Sequence, residues 1–503
     1  MNSNYFRAAG VFLLLAVLHL FLYTGTPDMR HSSGWPTIVM HNWHESGYWQ
    51  LNGQLVANPG GLDAGEEKFI YPGHRPAFLI LPYLLKELPG AVAGNGLLYD
   101  LVVLALTYAA LLWLFGTRLR GVVLASVFCL APGFINNVFT IDTINVPAMM
   151  GVAAMSFAGG CLVRNETKLP LRLMALGVMS LFMLLNWSTL FSMGVAAVYV
   201  FCKQRDLKKT IIWFTPALVI GSGVLLLSMH SKHSMAGATS GDFWNAYLWG
   251  PLGYDRSGMT FSKAFVRIMA VNLIAWLPLL AAGCAILFTN GFGSGSRWAF
   301  WPVLAGIAAV FALRNYNAHH PWNAVCEIGL GLIFSLDLLL ATSPVVARKS
   351  CGVVIMLTGV FSLICLVGWL MLDDYNGRNN ISLKTLVAQN TPRHSLLVVA
   401  ADVEPNVVTD WKPIAEEFDR KVVSLDDWSQ RAIELRKGER PVYLLTHTVT
   451  PPSEAKLVIE SHAHSTWADK IMVPLFDFYR TKISRRAPGN RKDYFDSYRI
   501  YKL

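Results

Sequence analysis

The residues most able to do chemistry in this chain lie in His41–Gly53, HNWHESGYWQLNG, and in Tyr71–Pro76, YPGHRP. Read as a helix, His41, Glu45 and Tyr48 fall at i, i+4 and i+7 and share one face. A carboxylate and imidazoles on one face can accept a proton from a hydroxyl. Trp43 and Trp49 suit a helix lying at a membrane–water interface. An amphipathic interfacial helix with satisfied polar groups is the plainer reading of the same pattern. Beside Arg75 of the second stretch, three further features join them: the lone Asp142 in Phe139–Asp142, the pair His319-His320, and the long loop His230–Lys263 with Asp255 and Arg256. Singly each has a bland reading. Asp142 suits a helix N-cap, and Arg75 a snorkelling cation. No HExxH or CxxC occurs, so no metal site is indicated, and the seven cysteines, all in or beside apolar runs, imply no disulfide framework.

These residues must be positioned by a membrane protein. The chain has 503 residues, 53% hydrophobic and 15% charged, with apolar runs of about twenty residues repeated along it. The first, Phe6–Tyr23, has no small-residue cleavage site after it and reads as a retained helix. Others follow at Leu97–Phe115, Val122–Val138, Ile144–Leu162, Leu173–Leu185, Thr189–Phe201, Ile211–Met229, Phe265–Phe288, Trp298–Leu313, Val325–Leu340 and Gly352–Leu372, giving about eleven transmembrane helices. Leu173–Leu185 and Thr189–Phe201 form either a hairpin or one long tilted span. Ala77–Leu85 is too short to cross and lies along the interface or dips into it.

The net charge of +10 is not a nucleic-acid signal, because many cations sit in short loops between apolar runs. With the N-terminus inside, the inside loops are Gly116–Gly121, Arg164–Arg172, Lys203–Lys209, Thr289–Arg297 and Thr342–Ser350, and every one carries Lys or Arg. The acidic, histidine and aromatic clusters then fall almost entirely on the opposite, extracytoplasmic side. The tail, also outside, changes character. Ser395–Ala401, Lys421–Leu425 and Pro441–Thr446 read as strands, with helices at Trp411–Phe418 and Asp426–Lys437, which makes a small α/β domain with a partly parallel sheet. It has no Gly-rich phosphate loop. Arg480–Lys492 is a basic stretch that reads as a solvated loop or a contact for anionic headgroups. The expected division is 1–372, a transmembrane part with outer interfacial helices at 24–86, and 373–503, an extracytoplasmic α/β domain.

An acidic position after the first helix, a Tyr-x-x-x-Arg-Pro element (Tyr71–Pro76), an isolated Asp142 in the next outer loop and a later His319-His320-Pro321 together resemble the C-type (GT-C) glycosyltransferases. The likeness is to the protein O-mannosyltransferase and lipid A aminoarabinose transferase group, over roughly residues 1–372. The resemblance implies a GT-C-like multi-span fold and transfer of a sugar from a polyprenyl-phosphate donor to an acceptor hydroxyl on a glycan, lipid or protein of the cell envelope. It places the enzyme in a bacterial inner membrane, with no cofactor beyond the lipid-linked substrate. The leaving phosphate needs cations rather than a general acid, and the hydroxyl needs a base. By the resemblance, Glu45, His44 and Asp142 are catalytic, and Arg75 with His74, Tyr71, His319 and His320 binds the donor phosphate. The chain departs from the family in having His44-Glu45 where Asp-Glu is usual. The base is then Glu45, or His44, or another carboxylate of the segment such as Asp28 or Asp63. A polymerase or ligase of lipid-linked glycans is an alternative. So is a polytopic lipid or sugar transporter, which would place ionisable groups near mid-membrane.

Overall fold

The computed structural model describes residues 3–25, 34–63, 65–70, 79, 83–84, 95–139, 145–164, 168–185, 189–235, 260–290, 296–312, 317, 325–341, 382–400, 403, 418–436, 440–461, 474 and 498–503. The chain divides into two compact units. One is Met1–Thr24 with Pro72–Val367, and the other is Gly25–Tyr71 with Gly368–Leu503. The stretch 25–71 therefore clusters with the C-terminal region rather than with the helices that flank it in sequence.

The first unit is helical. Its described helices are α1 (Ser3–Gly25), α3 (Asn95–Phe115), α4 (Leu119–Leu130), α5 (Pro132–Phe139), α6 (Asn145–Val163), α7 (Leu169–Leu185), α8 (Thr189–Gln204), α9 (Leu207–Met235), α10 (Phe261–Ala275), α11 (Leu277–Asn290), α12 (Trp301–Ala312) and α13 (Val325–Ala341). Ten of the apolar runs thus appear as helices. Gly352–Leu372 lies outside the described residues, as do most of Ala77–Leu85. Leu173–Leu185 and Thr189–Phe201 are separate helices: α7 packs on α9 and α6, whereas α8 packs on α12, α6 and α13.

Two expected spans are broken. Val122–Val138 becomes α4 and α5, bent by 59° where Pro132 follows Ala131. Phe265–Phe288 becomes α10 and α11, bent by 81° at Trp276, just before Pro278. Proline removes a backbone donor and clashes with the preceding turn, so both breaks have a local cause. Trp276 is fully buried in its bend. Its indole stacks on Phe128 at 5.0 Å and donates Nε1–H to the Val325 carbonyl at 2.8 Å. Among the described residues one helix, Ser3–Phe21, is by itself long and apolar enough to cross a membrane, and the two bent pairs qualify if each is one span.

Helix α13 organises the unit. Every residue from Val325 to Leu340 is buried, and the helix touches α4, α5, α6, α8, α10, α11 and α12. A helix apolar on nearly every side, with Glu327 and Asp337 near its two ends, belongs in such a position. Its contact with α12 is glycine-lined: a Cβ on Gly306 would lie 2.5 Å from the Glu327 carbonyl oxygen, and one on Gly331 2.5 Å from that of Pro302. Small residues let the two backbones approach closely. The outer helices instead turn large apolar side chains outward, among them Leu13, Leu14 and Val17 of α1, Leu227 of α9 and Val266 of α10. Apolar surface of that extent fits a lipid solvent.

Among the described residues, basic side chains of three loops gather at one end of the bundle. Asp337, near the last turn of α13, accepts from Arg120 at 2.5 Å, Lys203 at 2.7 Å and Tyr199 at 2.8 Å. The Arg164 guanidinium lies 4.2 Å over the Trp113 ring and that of Arg205 3.5 Å over Trp298. Arg120, Arg164, Lys203 and Arg205 belong to three of the loops that charge alternation assigns to one side, and Trp298 adjoins a fourth; Thr342–Ser350 lies outside the described residues. At the opposite ends of α1 and α3, buried His19 meets Asp100 at 3.2 Å and donates Nε2–H to the Cys129 carbonyl at 3.1 Å.

The second unit is α/β, with α2 (Gly34–Ser46), α14 (Ser382–Asn390), β1 (Leu396–Val399), β2 (Lys421–Ser424), α15 (Leu425–Arg436), β3 (Val442–Thr446), β4 (Lys456–Ser461) and β5 (Tyr498–Lys502). Its sheet runs β2-β1-β3-β5-β4. Strands β2, β1 and β3 are parallel, and β5 and β4 are added antiparallel. The partly parallel sheet and its first three strands match the sequence reading, whereas β4 and β5 go beyond it. β1, LLVV, is central and buried on both faces. Leu397 and Val399 pack with Leu386 and Val387 of α14, while Leu396 and Val398 pack with Trp428 of α15. The Trp411–Phe418 helix and the basic stretch Arg480–Lys492 fall almost wholly outside the described residues.

Candidate functional site

The site is built on α2 within the second unit. The helix ends at Ser46, where Gly47 takes φ 85° and donates its N–H to the Trp43 carbonyl at 3.0 Å. This left-handed closure is the ordinary use of a glycine after a helix. It corrects one expectation: Tyr48 is not at i+7 on the helical face but in the following turn, its ring edge-on to Trp43 at 4.9 Å. Trp43 is corrected as well. It is fully buried and donates its indole N–H to the Gln54 carbonyl, so it packs the segment rather than facing an interface, whereas Trp49 is 85% exposed.

His41 and Glu45 do share a face, and the residues they meet come from far along the chain. His41 Nδ1 lies 2.6 Å from Asp419 Oδ2. Arg393 donates Nε–H to Asp419 at 2.7 Å and Nη2–H to the Asn42 side-chain oxygen at 2.9 Å, and its Nη1 pairs with Glu45 Oε2. His394 Nε2 lies 3.6 Å from the other oxygen of Glu45. Arg393 sits just before β1 and Asp419 just before β2, so the start of each parallel strand supplies one half of a buried ion pair. Their side chains are 13% and 10% exposed.

Asp419 takes a left-handed φ of 49°, which aspartate tolerates better than most residues. Burial alone pushes its carboxyl up, but hydrogen bonds from His41 and Arg393, the Arg393 charge and the Gly60 N–H outweigh burial and hold it below its ordinary value. Burial likewise works against the Arg393 cation, and Asp419 and Glu45 more than offset it.

The loop after α2 closes over this network. Asn42 donates to the carbonyls of Val56 and Asn58 at 2.8 and 3.2 Å, and Gly60 donates its N–H to Asp419 at 3.0 Å. Gly60 and Gly61 have φ of 70° and 88°, and a Cβ on Gly61 would meet the His394 ring at 2.6 Å and Glu45 Oε2 at 3.1 Å. Both positions require glycine. A second, more exposed cluster follows. Lys421 contacts Asp63 at 2.5 Å and Glu66 at 2.7 Å, and Arg440 pairs with Asp63. Burial raises both carboxyls, but Lys421 and Arg440 outweigh it at Asp63, and the Asp63 N–H, Lys421 and Asn58 outweigh it at Glu66. Asp63 is thus spoken for by two cations, which suits a surface clasp rather than a base.

Of the residues named from sequence, Glu45 and His44 stand on α2, and Glu45 is in the network. Asp142, Arg75, His74, Tyr71, His319, His320 and Asp28 lie outside the described residues. Sequence reasoning missed Arg393 and Asp419.

No protein-family model matches the sequence, and no curated protein does. Solved structures do match. The crystal structure of ArnT from Cupriavidus metallidurans in the apo state superposes with a TM-score of 0.53 at 14% identity, over 90% of this chain and 96% of that one. The chain has the ArnT fold. ArnT bound to undecaprenyl phosphate agrees, with a TM-score of 0.54 at 11% identity over 98% of each chain. The likeness to ArnT spans the helices and the C-terminal sheet alike, and it bears out the resemblance to the C-type glycosyltransferase group at the level of fold.

Proposed function

We propose that the chain is an integral membrane glycosyltransferase that moves a sugar from a polyprenyl-phosphate donor to an acceptor hydroxyl. The observation that carries this reading is the ArnT fold over nearly the whole chain, a fold in which one solved structure holds undecaprenyl phosphate. The apolar exterior of the helical unit supports a lipid-borne donor, which must enter from the bilayer. The gathering of basic side chains from three loops at one bundle end supports a cytoplasmic side there, with chemistry on the other face and with about eleven spans in all. In this reading α2 supplies the polar face nearest the acceptor, with Glu45 and His44 on it. Arg75, together with His74, Tyr71, His319 and His320, steadies the donor phosphate, and Asp142 is the second outer carboxylate. The sugar is a hexose or a pentose, and the acceptor is a glycan, lipid or protein of the bacterial envelope.

The test is release of undecaprenyl phosphate by the purified full chain in nanodiscs, given undecaprenyl phosphate linked to glucose, mannose or 4-amino-4-deoxyarabinose together with an envelope-lipid acceptor. No release from any donor would overturn the reading. Arg75→Ala is expected to weaken undecaprenyl phosphate binding by about one to two decades, the equivalent of a charge-assisted phosphate contact of about 1.5–3 kcal/mol. Unchanged affinity would remove Arg75 from the donor site. A periplasm-dependent reporter fused after Leu503 is expected to be active, and a reporter active only in the cytoplasm would reverse the topology.

A further inference from the structure

The geometry points to His41, through its Nε2 atom, as the base that takes the acceptor's proton, with Asp419 as the residue that positions it; this rests on the proposed transfer reaction. Asp419 is 10% exposed and already accepts from Arg393 and from the Gly60 N–H. A carboxylate held by a guanidinium and a backbone amide is ionised and can only accept. The proton in the 2.6 Å contact therefore belongs to His41 Nδ1. In the neutral ring this leaves the lone pair on Nε2. That atom has no partner among the described residues, on a side chain that is 35% exposed. A buried carboxylate fixing the tautomer and the ring plane of an accessible imidazole is the arrangement that prepares histidine for proton transfer.

Glu45, one turn further along the same face, is engaged otherwise. One of its oxygens pairs with Arg393 and the other faces His394. It anchors the guanidinium that fixes Asp419, which makes it a positioning residue three contacts away from the His41 ring. Asp419 could accept two hydrogen bonds without His41, so the imidazole is not needed to satisfy the pair.

In the step itself, the acceptor oxygen forms a bond to the anomeric carbon as its proton moves to His41 Nε2. The bond from that carbon to the phosphate oxygen breaks, and the electron pair leaves with the polyprenyl phosphate. The imidazolium then returns the proton to water. Among the described residues, the charged groups facing the ring are Asp419 and, through it, Arg393 and Glu45.

His41→Asn tests the assignment, because the asparagine amide can still donate to Asp419 while nothing replaces Nε2. With a donor that the wild type turns over, kcat is expected to fall about 10²–10⁴-fold. The melting temperature and undecaprenyl phosphate affinity should stay near wild type, so that the loss falls on kcat alone. Added imidazole should restore part of the activity of His41→Ala. A kcat within about threefold of wild type in His41→Asn, or a Glu45→Gln variant that loses more activity than His41→Asn, would overturn the assignment and leave the transfer reaction standing. If His41→Asn fails to fold, the imidazole rescue of His41→Ala decides, and its absence counts against Nε2. A wild type inert with every lipid-linked donor overturns the reaction and this inference together.

Discussion

Arg393→Met is expected to destabilise the second unit by about 3–5 kcal/mol, the usual cost of leaving one member of a buried ion pair without the other. Methionine keeps most of the volume, so the loss is electrostatic. The guanidinium serves Asp419, Asn42 and Glu45 at once, and its removal leaves the Asp419 carboxylate buried with His41 and the Gly60 amide alone. The sign with pH separates this from a packing defect. In the wild type the Asp419 carboxyl is held below its unfolded value of about 3.9. Its contribution is present in full above that value and is lost as pH falls through the lowered one. In Arg393→Met the same burial is no longer outweighed by that cation, so protonation relieves the folded state. The deficit relative to wild type should therefore narrow on acidification, and Asp419→Asn in the Arg393→Met background should recover part of it. A deficit that does not change with pH would mean that the pair matters only through packing. Thermal melts of the full chain in detergent at pH 7 and pH 4 supply the measurement.

The second large effect belongs to the other unit. Asp337→Asn is expected to cost about 2–3 kcal/mol, as for the loss of hydrogen bonds to a charged group. The carboxylate gathers Arg120 from the start of α4, and Tyr199 and Lys203 from the end of α8, onto α13. The expected cost is below that of Arg393→Met because Arg120 and Lys203 are partly exposed and can swing toward water. A melting temperature lowered in Asp337→Asn and lowered no further by adding Arg120→Met would show the two residues acting as one contact. Additive losses would show that they act independently.

Much of the scaffold was legible because its signals are local. Apolar runs became helices, and Pro132 and Pro278 stood in the sequence beside the two bends. The buried run at Leu396–Val399 announced a central parallel strand, as continuous apolar strands do. Strands β4 and β5 were not read, since KLVIES and YRIYK mix charge with apolar residues and each gains its meaning only from the antiparallel pairing between them. The turn at Gly47 was passed over in favour of the 3.6-residue period, which misplaced Tyr48. For the site, the shared face of His41 and Glu45 follows from helical spacing. Arg393 and Asp419 did not stand out, because a single cation and a single carboxylate in a mixed-charge tail carry no pattern. Their meaning lies in partners more than three hundred residues upstream.

That separation has a consequence in time. Asn42 waits for Arg393 across 351 residues and His41 waits for Asp419 across 378. At a synthesis rate of about 5–20 residues per second, the interval is roughly 20–75 s. Helix α2 leaves the ribosome early, and the helices of the first unit are made before any residue that completes its network exists. Contacts of such range form late and slowly. A nascent chain halted anywhere before residue 419 would display the polar face of α2 without its carboxylate partner, and proteases would find the segment from 25 to 71 open until translation had passed the second strand.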